Sequence, residues 1–232
     1  MSADVKVVLF DLDGTLIETA PEIADAVNDA LRAVGLSEIG LPMVRDWIGH
    51  GTASLLVSAL GHRLQLDTSG VKAWSRYAEA VSAFDAAYEA RCGTRSHLYD
   101  GVRDTLALLR ARGVRTAVVT NKEGRFTARV LAAHQLTASF DVVISGDSLP
   151  TKKPNPAGIH HALGEMGASV KQALFVGDSS IDVQTARNAG VPVWVLPYGY
   201  NMGQPIADSQ PDRLLQGFEQ VLDVAPAAPV HG

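Results

Sequence analysis

Five short apolar runs recur along the chain, and each has the length of a buried strand. They occupy residues 5–10, 114–119, 140–144, 173–176 and 191–196. Between them, apolar residues recur at helical spacing, as at Val102, Leu106 and Leu109, in 126–131, in 159–166 and in 181–188. Strands that alternate with helices predict an α/β fold with a doubly wound, Rossmann-like parallel sheet and helices on both faces.

One long segment breaks this alternation. Residues from about 18 to 91 show no strand pattern, but Ile23, Val27 and Leu31 repeat at helical spacing, and 74–90 is rich in alanine. We therefore expect an inserted helical cap domain at 17–94 and an α/β catalytic core formed by 1–16 and 95–224. The last residues, 225–232, lack a core pattern and are expected to be disordered.

Acidic residues follow the first predicted strand directly. Asp11 and Asp13 flank Leu12, and Gly14 lets the chain turn. Ligands of open α/β sheets bind at the carboxyl ends of the strands. Two carboxylates at such an edge repel each other unless a cation holds them, and Mg²⁺ prefers oxygen ligands. Alone, the four residues 11–14 would favour an ordinary turn.

Further polar residues follow the later strands. Thr120 ends the second run, Lys153 precedes a proline after the third, and Asp178 and Asp182 follow the fourth. Each has a simpler interpretation: Thr120 as a helix N-cap, Lys153 as part of a solvated basic turn, and Asp178 or Ser179 as an N-cap. Capping alone does not explain acids at several strand ends on one edge. We therefore predict that a cation binds among these acids and that Lys153 faces a second ligand, which is an anion.

Composition narrows the function classes. The 232 residues carry a formal net charge of −5, which gives no general attraction for nucleic acid or an anionic membrane. Cys92 is the single cysteine, so an intrachain disulfide is excluded. The first residues show no signal-peptide pattern, and no apolar stretch is long enough to span a bilayer. We expect a cytoplasmic protein, monomeric or homodimeric, whose partner is a small molecule.

The ordered set of strand-end motifs resembles the haloacid dehalogenase superfamily over nearly the whole chain. Residues 11–15 match its first motif, Thr120 the second, Lys153 the third and residues 177–182 the fourth. Within that superfamily, the chain is most similar to the bacterial phosphoglycolate phosphatases. That closer likeness lies in residues 47–51, 120–122, 152–156, 198–201 and 209–212.

The resemblance implies a two-step phosphoryl transfer. Asp11 is the expected nucleophile, and Asp13 protonates the leaving group and then activates water. The implied Mg²⁺ is held by Asp11, the backbone carbonyl of Asp13 and Asp178, with Asp182 close by or bound through water. Thr120 and Lys153 are expected to bind the phosphoryl oxygens.

Several residues are candidates for substrate binding. With Thr120 and Lys153 we include Asn121, and we expect the cap loop at Gly49 and His50 to reach the cleft, where His50 would meet a substrate carboxylate. An ordinary link between two cap helices explains that loop equally well. Lys122 and Arg125 are further candidates for contact with an anion.

The resemblance leaves the substrate open. The predicted function is hydrolysis of a small phosphorylated metabolite, 2-phosphoglycolate first. The main alternative is another ester, such as a sugar phosphate or N-acetylmuramate 6-phosphate, because the core motifs do not read the leaving group. A sugar phosphomutase is less favoured, since Ile23 lies where such relatives carry histidine, and Asp13 argues against a dehalogenase. A non-catalytic binding module would not need all the core residues.

Overall fold

The computed structural model describes residues 5–225, so the predicted disordered tail lies outside the described residues except for Ala225. Eight strands are present. In chain order they are β1 (Val7–Phe10), β2 (Ile17–Glu18), β3 (His97–Leu98), β4 (Arg115–Val119), β5 (Val142–Ile144), β6 (Ala173–Gly177), β7 (Val193–Val195) and β8 (Arg213–Leu214). Each of the five predicted strands is found within its apolar run or one residue beyond it.

Six strands form one parallel sheet in the order β5-β4-β1-β6-β7-β8. The first strand lies near its centre, where Leu9 is in register with Ala117 of β4 and Phe175 of β6. Side chains along β1 alternate between two apolar clusters: Val8 belongs to one and Leu9 to the other. Both faces of the sheet are therefore covered, as the predicted doubly wound α/β fold requires.

Within residues 5–225, nine α-helices accompany the strands. They are α1 (Ala20–Ala33), α2 (Leu41–Arg45), α3 (Thr52–Leu64), α4 (Thr68–Ala73), α5 (Tyr77–Arg91), α6 (Val102–Ala111), α7 (Gly124–Ala133), α8 (Ala157–Glu165) and α9 (Ser180–Ala189). Apolar residues of α6 and α7 cover one face of the sheet, and those of α8 and α9 cover the other. Among residues 5–225, no helix has both the length and the apolar character needed to cross a membrane.

The first five helices follow one another without an intervening strand. They lie between β2 and β3, which pair as a small antiparallel ribbon in which Ile17 is opposite Leu98. Buried side chains of these helices form a cluster of their own, which Phe126 of α7 and Tyr200 join. The strands β2, β3 and β8 have only two residues each. Because this is too short for a periodic pattern, the sequence does not predict them.

Candidate active site

The carboxyl ends of the central strands bring three acids together. Asp11 follows β1, Asp178 follows β6, and Asp182 lies in the first turn of α9. One carboxylate oxygen of each lies within 4.8 Å of the others, and all three residues are buried. Residues that are up to 171 positions apart in sequence thus share one pocket, as the strand-end pattern predicts.

Lys153 provides the positive charge of this cluster. Its Nζ lies 2.8 Å from Asp11 Oδ1 and 2.7 Å from Asp182 Oδ1, and the side chain is buried. The simpler interpretation of Lys153 as a solvated basic turn is therefore wrong. It fits Lys152 instead, which is exposed and lies 3.5 Å from Glu123 Oε1.

Close backbone contacts hold Asp178 in one orientation. Its Oδ2 accepts a hydrogen bond from the backbone N–H of Tyr200 at 2.6 Å, and its Oδ1 accepts one from the hydroxyl of Thr15. A Cβ atom added at Gly14 would lie 2.4 Å from Asp178 Oδ2, and one added at Gly199 would lie 2.1 Å from it. Two glycines are thus required because the backbone approaches this carboxylate so closely.

Asp182 is engaged on both of its oxygens. Its Oδ2 accepts hydrogen bonds from the backbone N–H groups of Asp178 and Ser179, at 3.1 and 3.0 Å, and from the Ser179 hydroxyl at 2.7 Å. With Ser179 as N-cap it completes a capping box at the start of α9. Its Oδ1 receives Lys153. Asp182 therefore fixes the loop that carries Asp178 and orients the lysine.

Burial and mutual repulsion make this cluster electrostatically unusual. Burial raises the pKa of Asp11 to about 6 although Lys153 lowers it, and Asp182 and Asp13 add to the rise. The pKa of Asp178 is raised well above its ordinary value, first by burial and then by Asp182 and Asp11. For Lys153 burial lowers the pKa, but attraction to Asp11 and Asp182 outweighs it, so the pKa is raised.

These charges match what a metal ion needs. Three carboxylates and one ammonium leave a formal excess of two negative charges in a buried space. A divalent cation that prefers oxygen ligands would neutralise that excess. Asp11 and Asp178, which both follow strand ends, fit as its direct carboxylate ligands. Asp182, which binds Lys153 and holds the loop that carries Asp178, fits a supporting position beside them.

The side chain of Asp13 lies outside this cluster. Its Oδ1 accepts hydrogen bonds from Thr19 Oγ1 at 2.7 Å and from Lys122 Nζ at 2.8 Å, and Lys122 Nζ also lies 2.9 Å from Oδ2. The carboxylate is partly accessible. Asp11 and Asp13 thus belong to two different hydrogen-bonding networks.

Thr120 and Asn121 follow β4 directly, and both are buried. Helix α7 begins at Gly124 with Glu123 as its N-cap, so the interpretation of Thr120 as the cap of that helix is wrong. The Asn121 amide contacts the backbone of Lys153 and donates to the carbonyl of Gly49 at 2.8 Å. Asn121 therefore connects the second and third motifs with the cap loop.

The cap loop reaches the core through its glycines. A Cβ atom added at Gly51 would lie 2.9 Å from the carbonyl oxygen of Asn121. His50 itself is exposed and lines a separate cavity of about 490 Å³ on the cap, together with Lys72 and Tyr77. Arg125 pairs with Asp85 of α5 at 2.6 Å. The structure thus brings Gly49 to the strand ends and places His50 and Arg125 elsewhere.

Three residues at the site have roles that the sequence does not indicate. Thr15 and Tyr200 hold Asp178, and Thr19 holds Asp13. Thr19 precedes α1, a typical N-cap position, but its side chain makes no capping hydrogen bond and turns to Asp13 instead. A threonine before a helix has no sequence signal that separates these two uses.

Comparison with known proteins gives concordant matches. The family model described as haloacid dehalogenase-like hydrolase matches residues 8–196. The phosphoglycolate phosphatase of Aliivibrio fischeri is 40% identical over 228 residues, covering 97% of this chain and 98% of that protein. The phosphoglycolate phosphatase of Vibrio cholerae is 39% identical over 220 residues, covering 95% and 96%.

Solved structures agree with these matches. A crystal structure of a predicted phosphoglycolate phosphatase from Haemophilus somnus has a TM-score of 0.88 at 35% identity, covering 95% of this chain and 98% of that chain. CbbY from Rhodobacter sphaeroides, solved in complex with phosphate, has a TM-score of 0.77 at 25% identity, covering 96% and 100%. The resemblance drawn from the motifs is confirmed, and the chain belongs to the haloacid dehalogenase-like hydrolase family.

Proposed function

We propose that this protein is a Mg²⁺-dependent phosphatase that converts 2-phosphoglycolate to glycolate and phosphate through an aspartyl-phosphate at Asp11. The observation that carries the proposal is the buried cluster of Asp11, Asp178 and Asp182 around Lys153, with Asp13 beside it in a separate network. Its choice of ester is supported by the names of curated relatives at about 40% identity.

Asp11 is the nucleophile in this proposal. A carboxylate oxygen of Asp11 attacks phosphorus, the bond from phosphorus to the leaving oxygen breaks, and Asp13 gives its proton to that oxygen. Water then attacks the phosphorus of the aspartyl-phosphate and gives a proton to Asp13, which releases phosphate and restores Asp11. The first step needs Asp13 protonated and the second needs it ionised, so one residue serves both.

The metal would be held by Asp11, Asp178 and the backbone carbonyl of Asp13, with Asp182 supporting them. When bound, Mg²⁺ neutralises the charge that would otherwise keep a carboxylate and a phosphate apart. Lys153 would bind a phosphoryl oxygen, because its ammonium already lies 2.8 Å from the attacking carboxylate. Thr120, buried at the end of β4, would donate to a second oxygen.

Residues 17–94 would act as a cap over this site, with 1–16 and 95–224 as the catalytic core. Asn121 and Gly49 form one contact between the two parts, and Thr52 Oγ1 forms another by donating to Glu123 Oε2 at 2.6 Å. Closing the cap excludes bulk water from the reacting groups. His50 would approach the substrate only if the cap loop moves when substrate binds.

Phosphate release from 2-phosphoglycolate by the purified protein tests the proposal. We expect turnover with Mg²⁺, its loss with excess chelator, and its return when Mg²⁺ is restored. Asp11→Asn should abolish turnover while retaining the fold, whereas Asp208→Asn, an exposed acid outside the site, should keep it. An Asp11→Asn protein with full turnover would contradict the assignment of the nucleophile.

A further inference from the structure

Lys122 is a completely buried lysine next to the site. Its side chain has 0% exposure, and Nζ lies 2.8 and 2.9 Å from the two oxygens of Asp13. Burial lowers the pKa of this ammonium, but attraction to Asp13 outweighs burial, so the pKa is raised and the group stays charged. A substrate anion cannot reach a side chain with no exposed surface. Lys122 must therefore have a role other than direct contact with a substrate anion.

The Lys122 ammonium also contacts helix α5 of the helical insert. Nζ lies 4.9 Å from the ring centroid of Tyr88 on α5, a distance at which a cation and an aromatic face attract. The Tyr88 ring in turn packs against Phe126 of α7, with ring centroids 4.6 Å apart. Lys122 therefore contacts both Asp13 and an aromatic residue of the helical insert.

Ion pairs on either side of Tyr88 keep this arrangement in register. Asp85 of α5 pairs with Arg125 at 2.6 Å, and Glu89 pairs with Arg129 at 2.5 Å. The two acids are four residues apart on α5, so they lie on one face of that helix. The two arginines are likewise four residues apart on one face of α7. The aromatic residue that contacts Lys122 thus lies between two charge contacts that join α5 to α7.

We propose that Lys122 is a positioning residue, which holds the Asp13 carboxylate toward the leaving oxygen of the substrate and is itself fixed by Tyr88. This inference rests on the proposed function, in which Asp13 protonates the leaving group. Among residues 5–225, Thr19 is the other side chain that hydrogen-bonds this carboxylate, and it contacts one oxygen where Lys122 contacts both. Without Lys122, the carboxylate keeps one hydrogen bond and can turn about it.

This role predicts that the effect of losing Lys122 depends on the leaving group of the substrate. An alkyl ester such as 2-phosphoglycolate leaves as an alkoxide and needs a proton at the moment of bond cleavage. Acetyl phosphate and p-nitrophenyl phosphate release stable anions that need no proton. Loss of a positioned acid therefore slows release of the leaving group, which kcat/KM reports, selectively for the alkyl ester, whereas general damage to the site lowers kcat/KM for all three substrates.

Lys122→Met, compared with wild type on these three substrates, tests the inference. We expect kcat/KM on 2-phosphoglycolate to fall about 100-fold, as loss of general acid catalysis does. The kcat/KM of the activated substrates should fall less than about threefold, because kcat/KM reports only the steps up to release of the leaving group, and for these substrates those steps do not need Asp13. Lys122→Arg, which keeps the charge, should recover part of the loss. Lys171→Met, which removes an exposed lysine of the core, should behave as wild type.

The outcomes separate the two proposals. An equal fall of kcat/KM on all three substrates, or no fall at all, would overturn the positioning role and leave the proposed function intact. A wild-type protein that is inactive on every phosphate ester would contradict the proposed function and, with it, this inference. Should Lys122→Met fail to fold by circular dichroism, Lys122→Gln, whose shorter side chain carries no charge but keeps a hydrogen-bond donor, should show the same selectivity for the alkyl ester with a smaller fall.

Discussion

The Asn121 side chain pairs with both backbone polar groups of Lys153. Its Oδ1 accepts a hydrogen bond from the Lys153 N–H at 2.8 Å, and its Nδ2 donates one to the Lys153 carbonyl at 3.1 Å. The amide side chain of Asn121 thus makes the two hydrogen bonds that a neighbouring strand would make, and it holds a loop that lies outside the sheet. The position of the buried ammonium of Lys153 therefore depends on a residue 32 positions earlier in the chain.

Asn121→Ala should reduce both activity and stability. The change leaves the buried backbone groups of Lys153 without their partners, which costs about 1–3 kcal/mol of unfolding free energy, and lets Lys153 move from Asp11. We expect kcat/KM to fall at least about tenfold, since each 1.4 kcal/mol of transition-state stabilisation is worth that factor. Urea unfolding and steady-state kinetics measure the two effects.

Asn188 offers a matched control for this change. Its amide donates to the Pro154 carbonyl at 2.8 Å, one residue further along the same loop, but from an exposed position. Asn188→Ala should stay within about 0.5 kcal/mol of wild type, as surface substitutions do. Equal losses in the two variants would show that the Asn121 contacts with Lys153 have no special role.

Among substitutions of lysine, Lys153→Met should cause the largest loss of stability and activity. It removes the charge that partly neutralises Asp11 and Asp182, and breaking a buried ion pair in this way costs about 3–5 kcal/mol. We expect a large fall in thermal stability without metal and a loss of measurable turnover. Lys152→Met, at the adjacent exposed position, should lower stability by less than about 0.5 kcal/mol. Comparable melting temperatures for the two variants would contradict this assignment.

The core of the site follows from the sequence because its residues are tied to strand ends. Asp11, Thr120 and Asp178 each come directly after a strand, and parallel strands deliver their carboxyl ends to one edge. Lys153 has no such position, since it follows β5 by a loop of several residues. The sequence singles it out by the proline that follows it and then by the family motif.

Other parts of the site depend on contacts that no local pattern encodes. The exposed position of His50 results from how the cap loop packs on Asn121, which is 71 residues away in sequence. Likewise, Thr19 faces Asp13 instead of capping α1, and Tyr200 contacts Asp178 through its backbone N–H. Local sequence predicts elements and strand ends well, but it does not predict which distant backbone group a polar side chain will find.

Without metal, the stability of the folded state should decrease as pH rises through about 6. The pKa of Asp11 is about 6 in the folded protein against 3.8 for an ordinary aspartate, so the folded state takes up a proton first as pH falls. Between those two values, lower pH favours the folded state by up to about 3 kcal/mol. The raised pKa of Asp178 acts in the same direction.

Chemical unfolding at a series of pH values in chelator measures this slope. Asp11→Asn has no carboxyl at this position to titrate, so its stability should depend less on pH between about 4 and 6. A wild-type protein whose stability falls across that interval no more than that of Asp11→Asn would contradict the raised pKa of Asp11.

Mg²⁺ should stabilise the fold by neutralising the acidic cluster. At a concentration 100 times the dissociation constant, binding to the folded state alone adds about 2.7 kcal/mol. We expect a higher melting temperature with Mg²⁺, and the gain should be lost in Asp178→Asn, which removes a ligand charge. Substitution of Asp147, an acid that receives the Gly124 N–H at the surface, should leave the gain unchanged.

The most direct test of the proposed function is kcat/KM with Mg²⁺ for 2-phosphoglycolate, glucose 6-phosphate, N-acetylmuramate 6-phosphate and pyrophosphate. We expect 2-phosphoglycolate to be preferred by a hundredfold or more, which corresponds to about 3 kcal/mol of transition-state binding. A flat profile, or a preference for one of the other three substrates, would contradict the assignment of 2-phosphoglycolate.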